Sequence, residues 1–354
     1  MKTLAQYLTR MLLLASALVM LVLLALAGFI EFVGELDDTG EGSYTAAGAL
    51  LYTLLRLPQV GVEMLPVSAL LGGLLGLGAL AKGSELVAMR AAGISPRRLA
   101  QAVMIGGCLM ALGGAIVSEY IAPPLDQFAR KYRSAARNRA DLSGRENTWV
   151  RDGQRIFNVE SGNAAPGFGG VYLFELDDSQ RLQSVAFASR ADLDESGGWV
   201  LSNLNETRFA GRDVSATITP SVTRKYSIDA ELLGIAALRP GSLSISGLLS
   251  YLDYLHANRL DARAYATEFW RRIADTLATA IMPVLAIGFV FGSLRSAGAG
   301  SRLLIGVLIG LGYFLASRTL ANSGQVFSID PALVGLAPVV VLGVVVLGVI
   351  YKVR

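Results

Sequence analysis

The stretch that decides the fold is PVSALLGGLLGLGALAKGSELVAMRAAGISPRR, residues 66–98. Its first half belongs to an apolar run, residues 60–81, which is long enough for a membrane span because crossing the hydrocarbon takes about 20 residues. Its second half is short and basic, and it ends near Gly93 and Pro96. The stretch therefore predicts a transmembrane helix followed by a charged connection at the membrane surface.

Five further apolar runs flank this stretch on both sides. The six predicted spans are residues 11–31, 60–81, 99–121, 272–293, 302–318 and 333–351. The composition agrees, since 53% of the residues are hydrophobic and only 17% are charged, which is too apolar for an ordinary soluble protein. Ala25-Leu26-Ala27 in the first run imitates a signal-peptidase site, but the run continues to Ile30, and we expect it to remain as a span.

Basic residues in the connections predict the orientation. With the N-terminus in the cytoplasm, ten Lys and Arg residues lie on that side: Lys2, Arg10, Lys82, Arg90, Arg97, Arg98, Arg295, Arg302, Lys352 and Arg354. The short connections on the opposite side hold only two, Arg56 and Arg318. Because cytoplasmic connections carry the excess of Lys and Arg, we expect a multi-pass protein of the bacterial inner membrane with residues 82–98 inside and 122–270 in the periplasm.

The middle of the chain has a different pattern, with short strand-like runs and turn residues between Thr148 and Leu238. It predicts an antiparallel sandwich or jelly roll, without a disulfide because Cys108 is the only cysteine. The predicted fold is thus a polytopic α-helical membrane protein with three plus three spans around an inserted all-β, jelly-roll-like domain. Residues 1–122 hold spans one to three and a cytoplasmic helix 84–93, residues 123–270 hold the periplasmic β-domain with flanking helices, and residues 271–354 hold spans four to six.

Several classes of function find no support in the sequence. There is no G-x-x-x-x-G-K-[ST] nucleotide motif, and His256 is the only histidine, which argues against a catalytic triad or a metal site. The glycines at 76 and 78 imitate a dinucleotide motif, but small residues at helical spacing, such as Gly72 with Gly76 and Gly306 with Gly310, are typical of closely packed membrane helices. The sequence predicts no cofactor, no metal and no nucleic acid for this chain.

Two acidic residues, Glu63 and Asp275, lie near the ends of predicted spans. Ionisable groups inside a membrane mark functional paths, so the pair could conduct protons. Each side chain could equally reach water at the membrane surface. The sequence leaves both interpretations open.

The basic segment after the second span predicts a short cytoplasmic helix. Ser84 can cap its start, and Gly93 with Pro96 ends it. Leu86, Met89 and Arg90 would share one side, a surface suited to a groove on a partner protein. A simple helix at the membrane surface, without a partner, is the alternative.

The sequence resembles the lipopolysaccharide export permease family of the LptF/LptG type, and its G-type members more than its F-type members. The matching stretches run through nearly the whole chain in order: residues 57–66, 70–78, 84–93, 129–133, 243–248 and 291–296. Among them are LLGGLLGLG at 70–78, SELVAMRAAG at 84–93 and LSISGL at 243–248.

This resemblance implies a subunit of an ABC transporter rather than an enzyme. The F and G permeases would pair, with two copies of the ATPase LptB below them, the single-span protein LptC beside them and the periplasmic LptA bridge receiving lipopolysaccharide from the outer leaflet. ATP and Mg²⁺ would be bound by the ATPase. Energy would enter this chain at the family's coupling helix, through Ser84, Glu85, Leu86, Met89, Arg90 and Gly93. An F-type subunit, a membrane scaffold without transport, and an enzyme that uses the β-domain are the alternatives.

The resemblance also points to a substrate site. G-type relatives tend to carry lysines at the outer end of the first span, where this chain has Glu31, Asp37 and Asp38. Positive charge for lipid phosphates would then come from Arg130, Lys131 and Arg133, from Arg271 and Arg272, or from divalent cations. Arginine is suited to binding phosphate because its planar guanidinium group can donate two parallel hydrogen bonds. Acyl chains would lie on the first and fifth spans, with Leu26, Phe29 and Ile30 on the first. The alternative is that the arginines pair with Asp126 or with acidic residues of the first loop.

Overall fold

The computed structural model describes residues 2–137, 147–160, 170–193, 198–211, 213–226, 238–291, 298–327 and 329–352. The chain divides into two compact units. The membrane unit comprises Met1–Arg137, Ser244–Leu248 and Arg263–Arg354, and the β unit comprises Asn138–Leu243 and Leu249–Ala262. Arg295 and Arg354 of the basic-residue count, and residues 292–296 of the last matching stretch, lie outside the described residues.

The helices are α1 (Lys2–Leu36), α2 (Ala46–Lys82), α3 (Glu85–Ala91), α4 (Pro96–Ile116), α5 (Ala122–Arg137), α6 (Ile245–Ala257), α7 (Arg263–Phe291), α8 (Ala299–Val326) and α9 (Pro331–Lys352). A π-helical turn, Val117–Ile121, joins α4 to α5. Over the described residues, six helical segments are long and apolar enough to cross a bilayer: Thr3–Leu36, Ala46–Lys82, Pro96–Arg137, Arg263–Val290, Gly300–Gly324 and Pro331–Tyr351. The prediction of six spans is confirmed.

Helix α2 lies at the centre of the membrane unit, because its glycines let neighbouring helices approach closely. A Cβ on Gly72 would lie 2.1 Å from Ser16 Oγ of α1, and one on Gly73 would lie 3.2 Å from the Cα of Pro283 in α7. From the other side, a Cβ on Gly306 of α8 would lie 2.4 Å from the Leu74 side chain. These distances confirm that the small residues serve helix packing, which in membranes depends on van der Waals contact rather than on the exclusion of water.

Helices continue the third and fourth predicted spans. The predicted β-domain with flanking helices began at residue 123, and its first flanking helix, α5, packs on α2 and clusters with the membrane unit. The fourth span was predicted at residues 272–293, and its helix, α7, begins at Arg263, within the stretch predicted to hold flanking helices. The reason is that Glu268, Arg271 and Asp275 form ion pairs along one face of α7, which allows a charged segment to continue the helix.

The described residues of the β unit form seven strands: β1 (Asn147–Asp152), β2 (Arg155–Glu160), β3 (Val171–Leu176), β4 (Leu182–Ala188), β5 (Arg190–Leu193), β6 (Trp199–Ala210) and β7 (Asp213–Arg224). All described pairings are antiparallel, in the order β1-β2-β3-β4-β6-β5 with β7 on the other edge of β6. The predicted inserted β-domain is confirmed.

The core of the β unit contains Phe157 and Trp199, both fully buried. Asn203 has a positive φ of 53°, which interrupts the alternation of β6, so that Leu201 before it and Leu204 after it both face the core. Tyr254 of α6 packs on this core, and its hydroxyl bonds the backbone of β1.

Candidate functional site

The membrane unit has two polar ends. The α3 side carries α3 and the start of α1, and the α5 side carries α5 and the connection between α1 and α2, residues 37–45. The residues singled out from the sequence fall at these two ends and in a charged cluster between the helices.

On the α3 side, the short helix predicted at 84–93 is present as α3. Gly93, with φ +80°, follows the end of the helix as predicted, because few other residues adopt this conformation without strain. Ser84 stands at the N-cap position, but its backbone is left-handed and its side chain makes no capping hydrogen bond. The prediction that the Ser84 side chain caps the helix is wrong.

The predicted docking face of α3 is also wrong in its orientation. Leu86 is 2% exposed and packs with Leu8 in the core of the membrane unit, and Met89 packs against the same cluster. In this seven-residue helix, the chain's own helices thus bury Leu86 and partly cover Met89. The face that remains exposed carries Glu85, Val87 and Arg90. Whether this face binds an ATPase stays a prediction.

On the α5 side, four arginines and five carboxylates form what we call the arginine network. The pairs are Arg56 with Glu31 and Asp126, Arg130 with Asp126, Arg133 with Glu35 and Asp38, and Arg137 with Asp38 and Glu41. The network joins the end of α1 and the 37–45 connection to α2 and α5. The carboxylates of the network outnumber its arginines by one, so the positive charge of the arginines is neutralised within this chain.

Asp126 is the centre of this network. Its side chain is 1% exposed and accepts from Arg56 Nε at 3.0 Å and from Arg130 Nε at 2.8 Å. The ring of Tyr52 lies between two guanidiniums, 5.4 Å from that of Arg56 and 5.3 Å from that of Arg133. A carboxylate buried this deeply needs compensating partners, and the two arginines supply two of them.

The connection 37–45 is held tightly against α5. Ser43 donates from its backbone to Ala136 O at 2.8 Å, and Tyr44 donates from its hydroxyl to Glu35 Oε2 at 3.0 Å. Burial, and then the bond to Glu35, raise the pKa of Tyr44, so the phenol stays a neutral donor. Gly42 has φ +58°, and a Cβ there would lie 2.5 Å from Arg137 O. Only glycine fits this close approach.

These contacts place the predicted substrate residues of α5. Arg130 and Arg133 are paired with Asp126 and with carboxylates of the first span and first loop, which is the alternative that the sequence left open. Lys131 points elsewhere and is exposed. Two of the three acids singled out at the end of the first span have partners within the chain, as Glu31 pairs with Arg56 and Asp38 with Arg133. A role of these arginines in binding substrate stays a prediction.

A second charged group, which we call the polar cluster, lies between α2, α7 and α8. Its members are Glu63, Glu268, Arg271, Arg272, Asp275, Tyr313 and Arg318. Arg271 donates to Glu268 at 2.8 Å and to Asp275 at 2.8 Å, and Arg272 donates to Glu268 at 3.0 Å. The side chains of Arg271 and Arg272 are 11% and 7% exposed, so neither is presented at the surface where the sequence analysis expected it.

The polar cluster brings together Glu63 and Asp275, which the sequence singled out separately. Both line a cavity of about 30 Å³ with Arg271 and Arg272, enough for an ordered water molecule and far too small for an acyl chain. Glu63 lies 19 residues before the end of α2 at Lys82, which corresponds to about 28 Å along the helix. A proton path and contact with interfacial water both stay predictions.

The apolar residues predicted to meet acyl chains lie on the outside of the membrane unit. Leu26, Phe29 and Ile30 of α1 are 58%, 64% and 63% exposed. Helices α1 and α8 are the least buried spans, each with 17% of its apolar window inside the unit. Both pack on α2 but scarcely on each other. We call their exposed apolar side chains, together with the part of α2 between them, the α1–α8 surface.

One residue of structural importance was missed by the sequence analysis. Glu119, in the π-helical turn, accepts from the backbone nitrogens of Ile245 at 2.8 Å and Ser246 at 3.2 Å, at the start of α6. It thereby satisfies donors that a helix start leaves unpaired. π-helical turns recur at functional sites, but no sequence signal marks this one.

The comparisons with known proteins agree with this architecture. The chain matches the family model described as lipopolysaccharide export system permease LptF/LptG over residues 6–352. It is 36% identical over 320 residues to the lipopolysaccharide export system permease protein LptG of Escherichia coli, covering 90% of this chain and 89% of that protein. It is 32% identical over 335 residues to the protein of the same name from Haemophilus influenzae, covering 94% and 93%.

Proposed function

Because the chain belongs to the LptF/LptG family of lipopolysaccharide export system permeases, we propose that it is the G-type membrane subunit of an ATP-driven transporter. In this role it takes lipopolysaccharide from the outer leaflet of the bacterial inner membrane and passes it towards a periplasmic bridge. The observation that carries the proposal is the extent of the match, which includes all six spans and the β unit.

The acyl chains of the substrate would lie on the α1–α8 surface. In a bilayer, exposed leucines face lipid in any case, so exposure alone is weak evidence. The α1–α8 surface is more specific than exposure alone, because the two spans with the most exposed apolar windows, α1 and α8, both border one stretch of α2 around Val67 and Leu71. Acyl chains that enter from the side would lie along this stretch, between α1 and α8.

The headgroup phosphates would reach the arginine network. Each arginine there already has a carboxylate partner, so phosphate would compete with Glu35 and Asp38 for Arg133 and Arg137. Those two guanidiniums are 31% and 29% exposed, which leaves them accessible to an anion from the membrane surface. Phosphate binding would therefore loosen the connection 37–45 from α5.

Energy would enter on the α3 side, which we assign to the cytoplasm. A partner ATPase, present in two copies and binding the ATP and Mg²⁺, would dock on the exposed face of α3, with Glu85, Val87 and Arg90. An F-type permease, a single-span LptC-type protein and a periplasmic LptA-type bridge complete the proposed assembly. These partners come from the family resemblance and are part of the proposal.

Orientation can be tested by single-cysteine labelling in a Cys108→Ala background. Ser95 and Ser179 are both exposed. In intact spheroplasts, an impermeant maleimide should modify Ser179→Cys and not Ser95→Cys. The reverse pattern would reject the assignment of the α3 side to the cytoplasm.

Substrate contact can be tested by photocrosslinking in the reconstituted complex. A photoreactive amino acid at Phe29, on the α1–α8 surface, should crosslink lipopolysaccharide, and ATP should reduce the yield when the bridge proteins are present. Leu333, at the start of α9 and thus at the same end of the membrane unit as Phe29, is similarly exposed at 68%, against 64% for Phe29, and serves as the control position. Equal yields at both positions would indicate ordinary membrane contact and would favour a scaffold without a transport path.

A further inference from the structure

Tyr7 links the first helix to the exposed face of α3. Its hydroxyl donates to Glu85 Oε2 at 2.9 Å, across 78 residues of sequence. The Tyr7 side chain is itself 45% exposed, so the bond lies at the surface of the α3 side. An exposed hydrogen bond of this kind adds little to folding, because water replaces it readily.

The position of Tyr7 is nevertheless well defined by its neighbours. Leu8 is fully buried in the core of the membrane unit, and Leu4 packs against the same cluster. Leu86, next to Glu85, is buried in that cluster as well. The backbones on both sides of the Tyr7–Glu85 bond are thus anchored by adjacent apolar side chains, and the bond restricts the remaining freedom of the Glu85 side chain.

Glu85 is chemically distinctive on this side of the molecule. It is the only acidic residue between positions 82 and 98, a segment that also holds Lys82, Arg90, Arg97 and Arg98. Among the described residues, Oε1 of Glu85 has no hydrogen-bond partner, while Oε2 is held by Tyr7. Because Glu85 is exposed, its second carboxylate oxygen remains available to a basic donor of a partner.

We propose that Tyr7 is a positioning residue for docking of the partner ATPase, and that the docking surface extends from α3 to the first turns of α1. Tyr7 holds the Glu85 carboxylate in the rotamer that meets an arginine or lysine of the partner. This inference rests on the proposed function, which supplies the ATPase. Ordering a mobile side chain on binding costs about 0.5–1.5 kcal/mol, so a side chain that is already ordered binds about twofold to tenfold more tightly.

The test is a double-mutant cycle on binding of the ATPase to the purified permease pair in nanodiscs. Tyr7→Phe keeps the ring and removes only the hydroxyl, and we expect it to weaken ATPase binding about twofold to tenfold. Glu85→Gln should weaken binding further, because it removes the charge that meets the partner. In the Glu85→Gln background, Tyr7→Phe should have little additional effect. Tyr120→Phe, a tyrosine 74% exposed in the π-helical turn, is the matched control and should bind as the wild type does.

The outcomes separate this inference from the proposed function. If Glu85→Gln weakens binding and Tyr7→Phe does not, the hydroxyl has no positioning role. If the two effects simply add, Tyr7 acts through the structure of α1 and not through Glu85. If the wild-type permease pair does not bind the ATPase at all, the proposed function fails, whatever the effect of Tyr7.

Discussion

Replacing Asp126 with asparagine tests whether the arginine network holds the α5 side together. The carboxylate is 1% exposed and joins Arg56 of α2 to Arg130 of α5. A hydrogen bond to a charged group contributes about 1.5–3 kcal/mol, but the two guanidiniums are 23% and 34% exposed, so water recovers part of each bond. We therefore expect Asp126→Asn to lower the free energy of unfolding by about 2–3 kcal/mol, near the lower end for breaking a buried pair.

The assay is unfolding by SDS in mixed micelles, followed by circular dichroism. Asp37→Asn is the matched control, since Asp37 is exposed in the same region, and a surface change of this kind should stay within about 0.5 kcal/mol. In an Arg130→Gln background the effect of Asp126→Asn should shrink by about 1 kcal/mol, because the bond between Asp126 and Arg130 is already lost. A loss for Asp126→Asn no larger than that for Asp37→Asn would refute the view that the network stabilises this side.

Three further predictions follow from the packing. On α3, Leu86→Ala should lower the free energy of unfolding by about 2–5 kcal/mol because Leu86 is 2% exposed. Val87→Glu should leave stability unchanged and weaken ATPase capture in a pull-down. A stable Leu86→Ala variant together with an unstable Val87→Glu variant would contradict the orientation of α3. Gly72→Leu should reduce the yield of folded protein on size-exclusion chromatography, because a Cβ there would lie 2.1 Å from Ser16 Oγ. Gly312→Leu should be tolerated, because no atom lies within 4 Å of a Cβ at that position. Equal yields of the two variants would contradict the close α1–α2 contact. In the β unit, Phe157→Ala should cost about 3–5 kcal/mol in thermal unfolding, and a loss below about 1 kcal/mol would contradict its central place in the core.

The pairing of the arginines on the α5 side affects how a lipid phosphate would bind in the proposed transport. A chain with unpaired lysines could attract lipid phosphate directly, but here the arginines are already paired. A phosphate must displace carboxylates such as Glu35 and Asp38, and salt should therefore weaken the network and the phosphate contact together. Phosphate would replace a carboxylate as the partner of an arginine, and the connection 37–45 would then loosen from α5.

The sequence alone was sufficient for the six spans, the inserted β-domain and the family. Long apolar runs have few alternatives in a bilayer, because every backbone polar group must be satisfied within a helix. The short alternating runs between Thr148 and Leu238 likewise predicted strands, since a period of two is incompatible with a helix. Each of these conclusions depends on local pattern, which the sequence contains in full.

Which side of a short helix faces its own chain was decided only by the tertiary structure. The sequence placed Leu86, Met89 and Arg90 on one side of α3 but contained no information on what that side would meet. The core formed by α1 and α2 covers Leu86, so the exposed face carries Glu85, Val87 and Arg90 instead. In a helix of seven residues, contacts with the rest of the chain, rather than the spacing of the apolar residues, decide which side is buried.

The pairing of charges was also decided only in three dimensions. Arg133 and Asp38 lie 95 residues apart, and Arg318 and Glu63 lie 255 apart, so no spacing rule connects them. The sequence showed which charged residues lie at each end of the membrane unit, but not which of them form pairs. Only the folded chain shows that the arginines of α5 meet the acids of α1, because ion pairing depends on distances of a few ångströms that helix packing sets.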